Sequence, residues 1–344
     1  MRLLIFTQSV DKDDAVLGFM HGWITSFSRV FPRITVVGLS VGEYDLPENV
    51  QVYSLGKEWG VGRVGYILNF YRTLWRLRGE YDAVFVHMNT EYVLLGGLLW
   101  FLARKPLYLW YNHRDAHLLS RFAFLLPKKL LHTSPFAATA GTRKSVRMPV
   151  GVDTESFCRL PDVVPNPHSI LFLGRISPIK KLHILLDALT LLDKKGVEFS
   201  LHVYGNTLSR DESYVSDLQV RAAHEFGDQV VFHGPVKHED APRVFNAHAV
   251  YVNLTPAGSF DKTILEAMAC ETVTIVSNES LRGEVPDMFI VKQDDPTDLA
   301  RVLGGVLTGA DEYRGAGKEL RAYALKNHAL SALTEKLKDV VSAL

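Results

Sequence analysis

The sequence predicts an α/β protein built from two doubly wound domains with parallel sheets. Three observations carry this. Short apolar runs alternate with longer helical patterns along the whole chain, which is the signature of parallel strands joined by helical crossovers. The 344 residues suit two domains, at roughly 150 residues for each. A polar, proline-rich stretch, Leu160-Pro-Asp-Val-Val-Pro-Asn-Pro-His168, separates the two alternating halves. The expected domains are therefore 1–160 and 168–344, with a linker at 161–167 and the last helix packing back on the first domain. Two such domains facing each other make a cleft, and open α/β sheets bind ligands at the carboxyl ends of their strands.

In the first half the strands fall at 3–7, 34–39, 83–87 and 107–110. Each is compact and apolar, as a strand covered on both faces should be. Helical patterns occupy 66–78 and 92–103. The longest apolar run, 93–103, is too short to span a bilayer and ends at Arg104 and Lys105. It reads as a buried helix, the alternative being a helix resting on a membrane. In the second half the strands fall at 170–173, 199–204, 230–232, 250–254, 273–276 and 289–291. The clearest helix is 180–195, with Ser177 as its cap, Pro178 in its first turn and Gly196 at its close.

Composition excludes several classes. Apolar residues make up 47% and charged residues 22%, so disorder and collagen-like structure are not expected. Two cysteines, Cys158 and Cys270, are no disulfide framework and fit a reducing compartment. The apolar start at 3–6 is too short for a signal sequence, so the expected location is cytoplasmic. Net charge is zero, which argues against a nucleic-acid coat. Residues 1–165 nevertheless hold 19 Lys and Arg against 14 Asp and Glu, and the remainder holds 19 against 24. In the basic half, Arg104, Lys105, Lys128, Lys129, Arg143, Lys144 and Arg147 interleave with Trp100, Phe101, Phe122 and Phe124. That mixture suits anionic headgroups; the alternative is core aromatics beside solvated charges.

Gly60-Val-Gly-Arg-Val-Gly65 matches a dinucleotide fingerprint in form only. No strand immediately precedes it and no acidic residue ends the next strand, so it reads as a loop before a helix. Asp11-Lys-Asp-Asp14 has the spacing of a metal–nucleotide holder, but surface loops produce it often, and no metal site is expected. Gly174-Arg-Ile-Ser-Pro-Ile-Lys-Lys181 follows a strand and opens a helix, a natural anion site. Arg175 offers a planar fork and Lys180 a point charge for a diphosphate; the alternative is two solvated basic residues. Thr255-Pro-Ala-Gly-Ser-Phe-Asp-Lys-Thr-Ile-Leu-Glu-Ala-Met-Ala-Cys270 follows another strand and feeds another helix. Amides near Lys262 and Thr263 suit a phosphate, and Glu266 suits two vicinal hydroxyls such as a ribose; the alternative is an exposed Glu266 on an amphipathic helix.

The pair G-R-x-S-P-x-K and L-E-A-M-A resembles the nucleotide-sugar half of retaining glycosyltransferases of family 4. Met148-Pro-Val-Gly-Val-Asp-Thr-Glu-Ser-Phe157 and Phe232-His-Gly-Pro-Val236 resemble two further family segments, and Val16-Leu-Gly-Phe-Met-His21 and Leu109-Trp-Tyr-Asn-His113 resemble a bacterial subgroup. The resemblance implies the GT-B architecture, two Rossmann-like domains with a nucleoside-diphosphate sugar in the cleft. It implies that Arg175 and Lys180 hold the diphosphate, that Glu266 holds the ribose, and that the amides around Asp261, Lys262 and Thr263 approach the phosphates. It places Gly18 where backbone reaches the donor, Gly234 and Val236 near the nucleobase, and His113, after the fourth strand, facing the reacting sugar; the alternative for His113 is a structural loop histidine. His21 and His87 are expected to be structural. No cofactor is implied: the acceptor hydroxyl attacks the face that the diphosphate leaves, and catalysis rests on positioning and on leaving-group charge. The family pattern E-x7-E would put a carboxylate where Gly258 stands, with Ser259, Phe260 or Asp261 beside it. The expectation is a metal-independent hexosyltransferase acting on a hydroxyl acceptor, lipid-linked, at the inner face of the membrane, in cell-surface polysaccharide or glycolipid synthesis. The alternatives are a sugar-nucleotide epimerase of the same fold and a silent nucleotide or sugar binder.

Overall fold

The computed structural model describes residues 1–14, 17–257 and 261–343. The chain divides into two units, residues 1–151 with 330–344, and residues 152–329. In the first, the order is β1 (Leu3–Val10), α1 (Phe19–Phe27), β2 (Ile34–Val41), β3 (Val50–Ser54), α2 (Arg63–Leu77), β4 (Ala83–His87), α3 (Thr90–Leu102), β5 (Leu107–Trp110), α4 (Leu118–Ala123), β6 (Lys129–His132) and β7 (Ser145–Arg147). The second contains β8 (Asn166–Leu173), α5 (Leu182–Asp193), β9 (Ser200–Tyr204), α6 (Glu212–Phe226), β10 (Val230–Gly234), α7 (Ala241–Ala247), β11 (His248–Asn253), α8 (Lys262–Ala269), β12 (Val273–Val276), α9 (Pro296–Leu307) and α10 (Ala316–His328). The final helix, α11 (Leu330–Ser342), belongs to the first unit.

The first sheet runs β3-β2-β1-β4-β5-β6-β7 and the second β10-β9-β8-β11-β12. All their pairings are parallel. Strand periodicity sorts the first core into two layers. Leu3 and Ile5 face Trp23, Ile24 and Phe27 of α1 together with Leu333, Leu337 and Val341 of α11. Leu4 and Phe6 face Phe70, Leu74 and Leu77 of α2 and Trp100 of α3. The four-residue spacing of Leu333, Leu337 and Val341 puts one apolar stripe of α11 wholly inside, at roughly 1.5–3 kcal/mol for each side chain.

Several expectations differ from the structure. β3, β6 and β7 were not expected; they are short, and β3, at the sheet edge, has no fully buried residue. Residues 289–291 form no strand. A 3-10 turn, Asp287–Phe289, leads to one bridge between Ile290 and Val276. The helix expected at 180–195 is a 3-10 turn, Pro178–Lys180, followed by α5, and Ser177 does not cap it. The linker expected at 161–167 lies inside the second unit, and its end already belongs to β8. The cause is Asn246 of α7, whose Oδ1 accepts from the Leu160 amide (2.8 Å) and whose Nδ2 donates to the Cys158 carbonyl (2.8 Å). The run 93–103 is not a buried helix. α3 exposes Leu94, Leu98, Leu99, Phe101 and Leu102.

Candidate active site

In a doubly wound sheet the crevice opens where the strand order reverses, at the carboxyl ends of the two central strands. In the second unit those strands are β8 and β11, paired with Tyr251 opposite Leu171. Parallel pairing therefore carries the loop after Leu173 and the loop after Asn253 to one edge, although 81 residues separate Lys180 from Asp261.

The first loop is pinned by backbone. Gly174 N–H donates to Tyr204 O (3.0 Å), Ile176 N–H to Asn206 O (2.9 Å) and Gly205 N–H to Gly234 O (2.8 Å). Gly205 has φ +157°, and a Cβ there would stand 1.9 Å from the Gly174 carbonyl oxygen, so only glycine lets the two strand ends approach. Buried Ile176 anchors the loop and leaves Arg175 exposed, with no carboxylate partner among the described residues. Ser177 Oγ is buried without a hydrogen-bond partner among them.

Lys180 is not a bare point charge. Its Nζ forms an ion pair with Asp261 Oδ2, and the same oxygen accepts from Asn253 Nδ2 (2.9 Å) and Thr255 Oγ1 (2.7 Å). Burial works to raise the Asp261 pKa, but Lys180 and these hydrogen bonds outweigh it and hold the carboxyl below its ordinary range. Asn253 Nδ2 also donates to the Tyr251 hydroxyl (2.9 Å), which lies 2.8 Å from Thr263 Oγ1. Asn253, Thr255 and Tyr251 were not identified from sequence. The visible signal was two polar residues at the end of an apolar strand.

α8 starts immediately after Asp261, so its first amides open toward this edge. Burial pulls the Lys262 pKa down to about 8, against the opposing pull of Glu266 and Asp153. Glu266 is buried rather than exposed, with His238 Nε2 3.1 Å from its Oε1. The His238 ring lies 5.0 Å from that of Phe157. One edge thus holds an exposed guanidinium, a cluster of lysines and carboxylates, open helix amides and a buried carboxylate. That set can bind an anion beside a diol. Gly234 ends β10 near Val236, while Gly258, Ser259 and Phe260 lie outside the described residues.

In the first unit, Gly18 packs against the turn before it: a Cβ would stand 2.7 Å from Asp14 O. Asp11 and Asp14 accept from the amides of Asp13 (3.0 Å) and Leu17 (2.9 Å), and among the described residues no His, Cys, Asp and Glu cluster is arranged to hold a metal ion. α2 begins inside the glycine-rich segment at Arg63, well after β3 ends at Ser54. His113 follows the fifth strand, not the fourth, because β3 precedes it. It is exposed, edge-on to Tyr111 at 5.3 Å, and desolvation on its covered side lowers its pKa. His21 Nε2 accepts from the Asp45 amide (3.0 Å), and His87 is buried against Phe19 and Trp23.

A family model described as glycosyl transferases group 1 matches residues 167–308, which contain both loops. D-inositol 3-phosphate glycosyltransferase of Streptosporangium roseum is 33% identical over 154 residues, 41% of this chain and 35% of that protein. Spore coat protein SA of Bacillus subtilis is 27% identical over 180 residues, 50% of this chain and 48% of that protein. The chain thus spans about half or less of the length of these curated relatives. HepE of Anabaena, solved in complex with UDP and glucose, superposes with a TM-score of 0.80 at 18% identity over the whole of both chains. Sucrose-phosphate synthase of Thermosynechococcus elongatus does so with a TM-score of 0.75 at 14% identity, over 99% of this chain and 98% of that one. The fold of the chain is GT-B, two Rossmann-like units with parallel sheets.

Proposed function

We propose that the protein is a retaining, metal-independent glycosyltransferase that moves a hexose from a nucleoside-diphosphate sugar to a hydroxyl acceptor. The observation that carries this reading is the convergence of Arg175, the Lys180–Asp261 pair, the amides of α8 and the buried Glu266 at the switch point of the second unit. In this reading Glu266 accepts the ribose hydroxyls. Arg175 and Lys180 stabilise charge on the leaving diphosphate, which is the transition-state change worth most in such a reaction. Asp261 orients Lys180 and lets its ammonium turn toward phosphate. His113 is the proposed histidine acting at the transferred sugar. UDP is the first nucleotide to test, because the HepE complexes hold it. The acceptor is taken to be lipid-linked, at the cytoplasmic face of the membrane, in surface polysaccharide or glycolipid assembly.

Gly258, in place of a family carboxylate, favours a second reading as a silent binder. Thermal shift with UDP, GDP, ADP and their sugars tests binding, since a ligand raises apparent stability by mass action. Transfer from labelled donor, with and without EDTA, tests the reaction. Expected are a shift with one diphosphate and EDTA-resistant transfer. No shift with any nucleotide refutes the donor site. Binding without transfer, restored by Gly258→Glu, installs the silent binder.

A further inference from the structure

The helices over one side of the first sheet carry a surface that the donor site does not use. On α2, Val64, Leu68 and Trp75 follow helical spacing along one exposed stripe, and Trp75 is 72% exposed. α3 presents Leu98, Phe101 and Leu102, with Phe101 71% exposed. On α4, Leu118, Leu119 and Phe122 point outward. The three stripes are neighbours. The Tyr71 hydroxyl on α2 donates to the Leu95 carbonyl of α3 (3.1 Å), and Gly97 of α3 leaves room for Leu126, just beyond α4. An apolar face of this extent on a water-soluble surface marks an interaction site.

Its charge identifies the partner. Residues 57–147 hold fourteen Lys and Arg against five Asp and Glu. α2 has Arg63, Arg72 and Arg76 and no acidic residue. Arg72 stands one turn beyond Leu68, and Arg121 stands one turn from Leu118. Neither arginine, nor Arg104 at the end of α3, has a carboxylate partner among the described residues. A second copy of the chain on this face would oppose like charges, which disfavours a symmetric dimer. We propose that the outer face of α2, α3 and α4 docks the protein on an anionic lipid bilayer. The apolar side chains enter the boundary between headgroups and acyl chains, while the arginine heads stay among the phosphates. Trp100, counted from sequence among the membrane-facing aromatics, is buried and takes no part; Phe101 and Phe122 do. The proposal gives the lipid-linked acceptor a place and rests on the activity above only for that purpose.

The test is co-sedimentation without nucleotide, using vesicles of phosphatidylcholine alone and of phosphatidylcholine with phosphatidylglycerol in equal parts. Trp59 and Trp75 are exposed while Trp23, Trp100 and Trp110 are buried, so insertion reads as a blue shift in tryptophan emission that Trp75→Phe reduces. Expected are binding to the mixed vesicles and little to the neutral ones. Arg72→Gln and Arg121→Gln should each weaken partitioning about fivefold. Leu98→Glu with Phe101→Glu should abolish it while the unfolding midpoint stays put, since both sites are exposed. Equal, negligible binding to both vesicles, or binding untouched by Leu98→Glu with Phe101→Glu, overturns the proposal. So does a dimer in solution that this double variant dissociates. Because no donor or acceptor is present, a failure here is separate from a failure of transfer.

Discussion

Both units place β1-like and β4-like strands side by side at the centre of a doubly wound sheet, yet they spend their polar and apolar residues in opposite places. In the second unit, α5 buries Leu182, Leu185, Leu189 and Leu192, and the charged groups gather inside the switch point around Asp261 and Glu266. In the first unit, the loop after β1 uses its carboxylates on its own amides, and the surplus is an apolar outer face on α2, α3 and α4. The family match, residues 167–308, falls wholly within the unit with the polar interior. A nucleotide demands a fixed set of charges at fixed positions. A surface that meets lipid or varied acceptors demands only a composition.

The largest effect should come from the charges of the switch point. Lys180→Ala and Arg175→Ala should each cost about 2–4 kcal/mol of transition-state stabilisation, by analogy with removal of one electrostatic donor. Asp11→Asn in the other unit should leave kcat/KM essentially unchanged. Steady-state kinetics of the three variants breaks the contrast if Asp11→Asn costs as much as the other two.

Backbone geometry comes next. Gly205→Ala should destabilise the second unit by about 3 kcal/mol, because it imposes both a disfavoured φ and a collision with the Gly174 carbonyl. Urea denaturation measures this. An effect below about 1 kcal/mol would mean that the strand ends part easily.

These two sites also show what the sequence conveys. The glycine and lysine motifs were legible because they are local: a strand end, a glycine and a basic helix start follow one another directly. The Lys180–Asp261 pair and the His238–Glu266 contact were not legible, since strand register creates them across 81 and 28 residues. The apolar strands could be read, even the four-residue β5 and β12; β6 and β7 could not, because Lys129 and His132 in β6 and Ser145 and Arg147 in β7 break the apolar run that marks a buried strand. The run 93–103 misled for a physical reason. Apolar residues all round a helix indicate a water-free surrounding, and periodicity does not say whether protein or lipid supplies it.

Acid should also act on the second unit. Burial lowers the pKa of His248 to about 4, although its Nδ1 lies 2.7 Å from the Val244 carbonyl. Below its ordinary value of 6.5, the unfolded chain takes up a proton that folded His248 refuses until about pH 4. The stabilisation from neutral burial is complete above pH 6.5 and is lost as pH falls through that window, reaching about 2–3 kcal/mol. His202 and His233 shift in the same direction, so the domain's loss should be larger still. His248→Asn keeps a donor for Val244 and removes the titration. Unfolding free energies at pH 7 and 4.5, compared for wild type and this variant, should differ less in the variant. Identical pH slopes would take His248 out of the account.

The smallest expected effect lies in α1 of the first unit and has the opposite sign. Gly22 sits in the interior of this helix, and a Cβ built there meets nothing within 4 Å. Its backbone is helical, so alanine fits without strain. Glycine at such a site costs conformational entropy that alanine does not, and the structure gives no packing reason for it. Gly22→Ala should therefore stabilise the protein by about 0.5–1 kcal/mol, read as a higher urea midpoint at unchanged slope. The contrast with Gly205→Ala is then one of environment alone, since the same methyl group is added in both. Destabilisation by Gly22→Ala would show that this open face of α1 is occupied in solution, and that the first unit presents a second covered surface besides α2, α3 and α4.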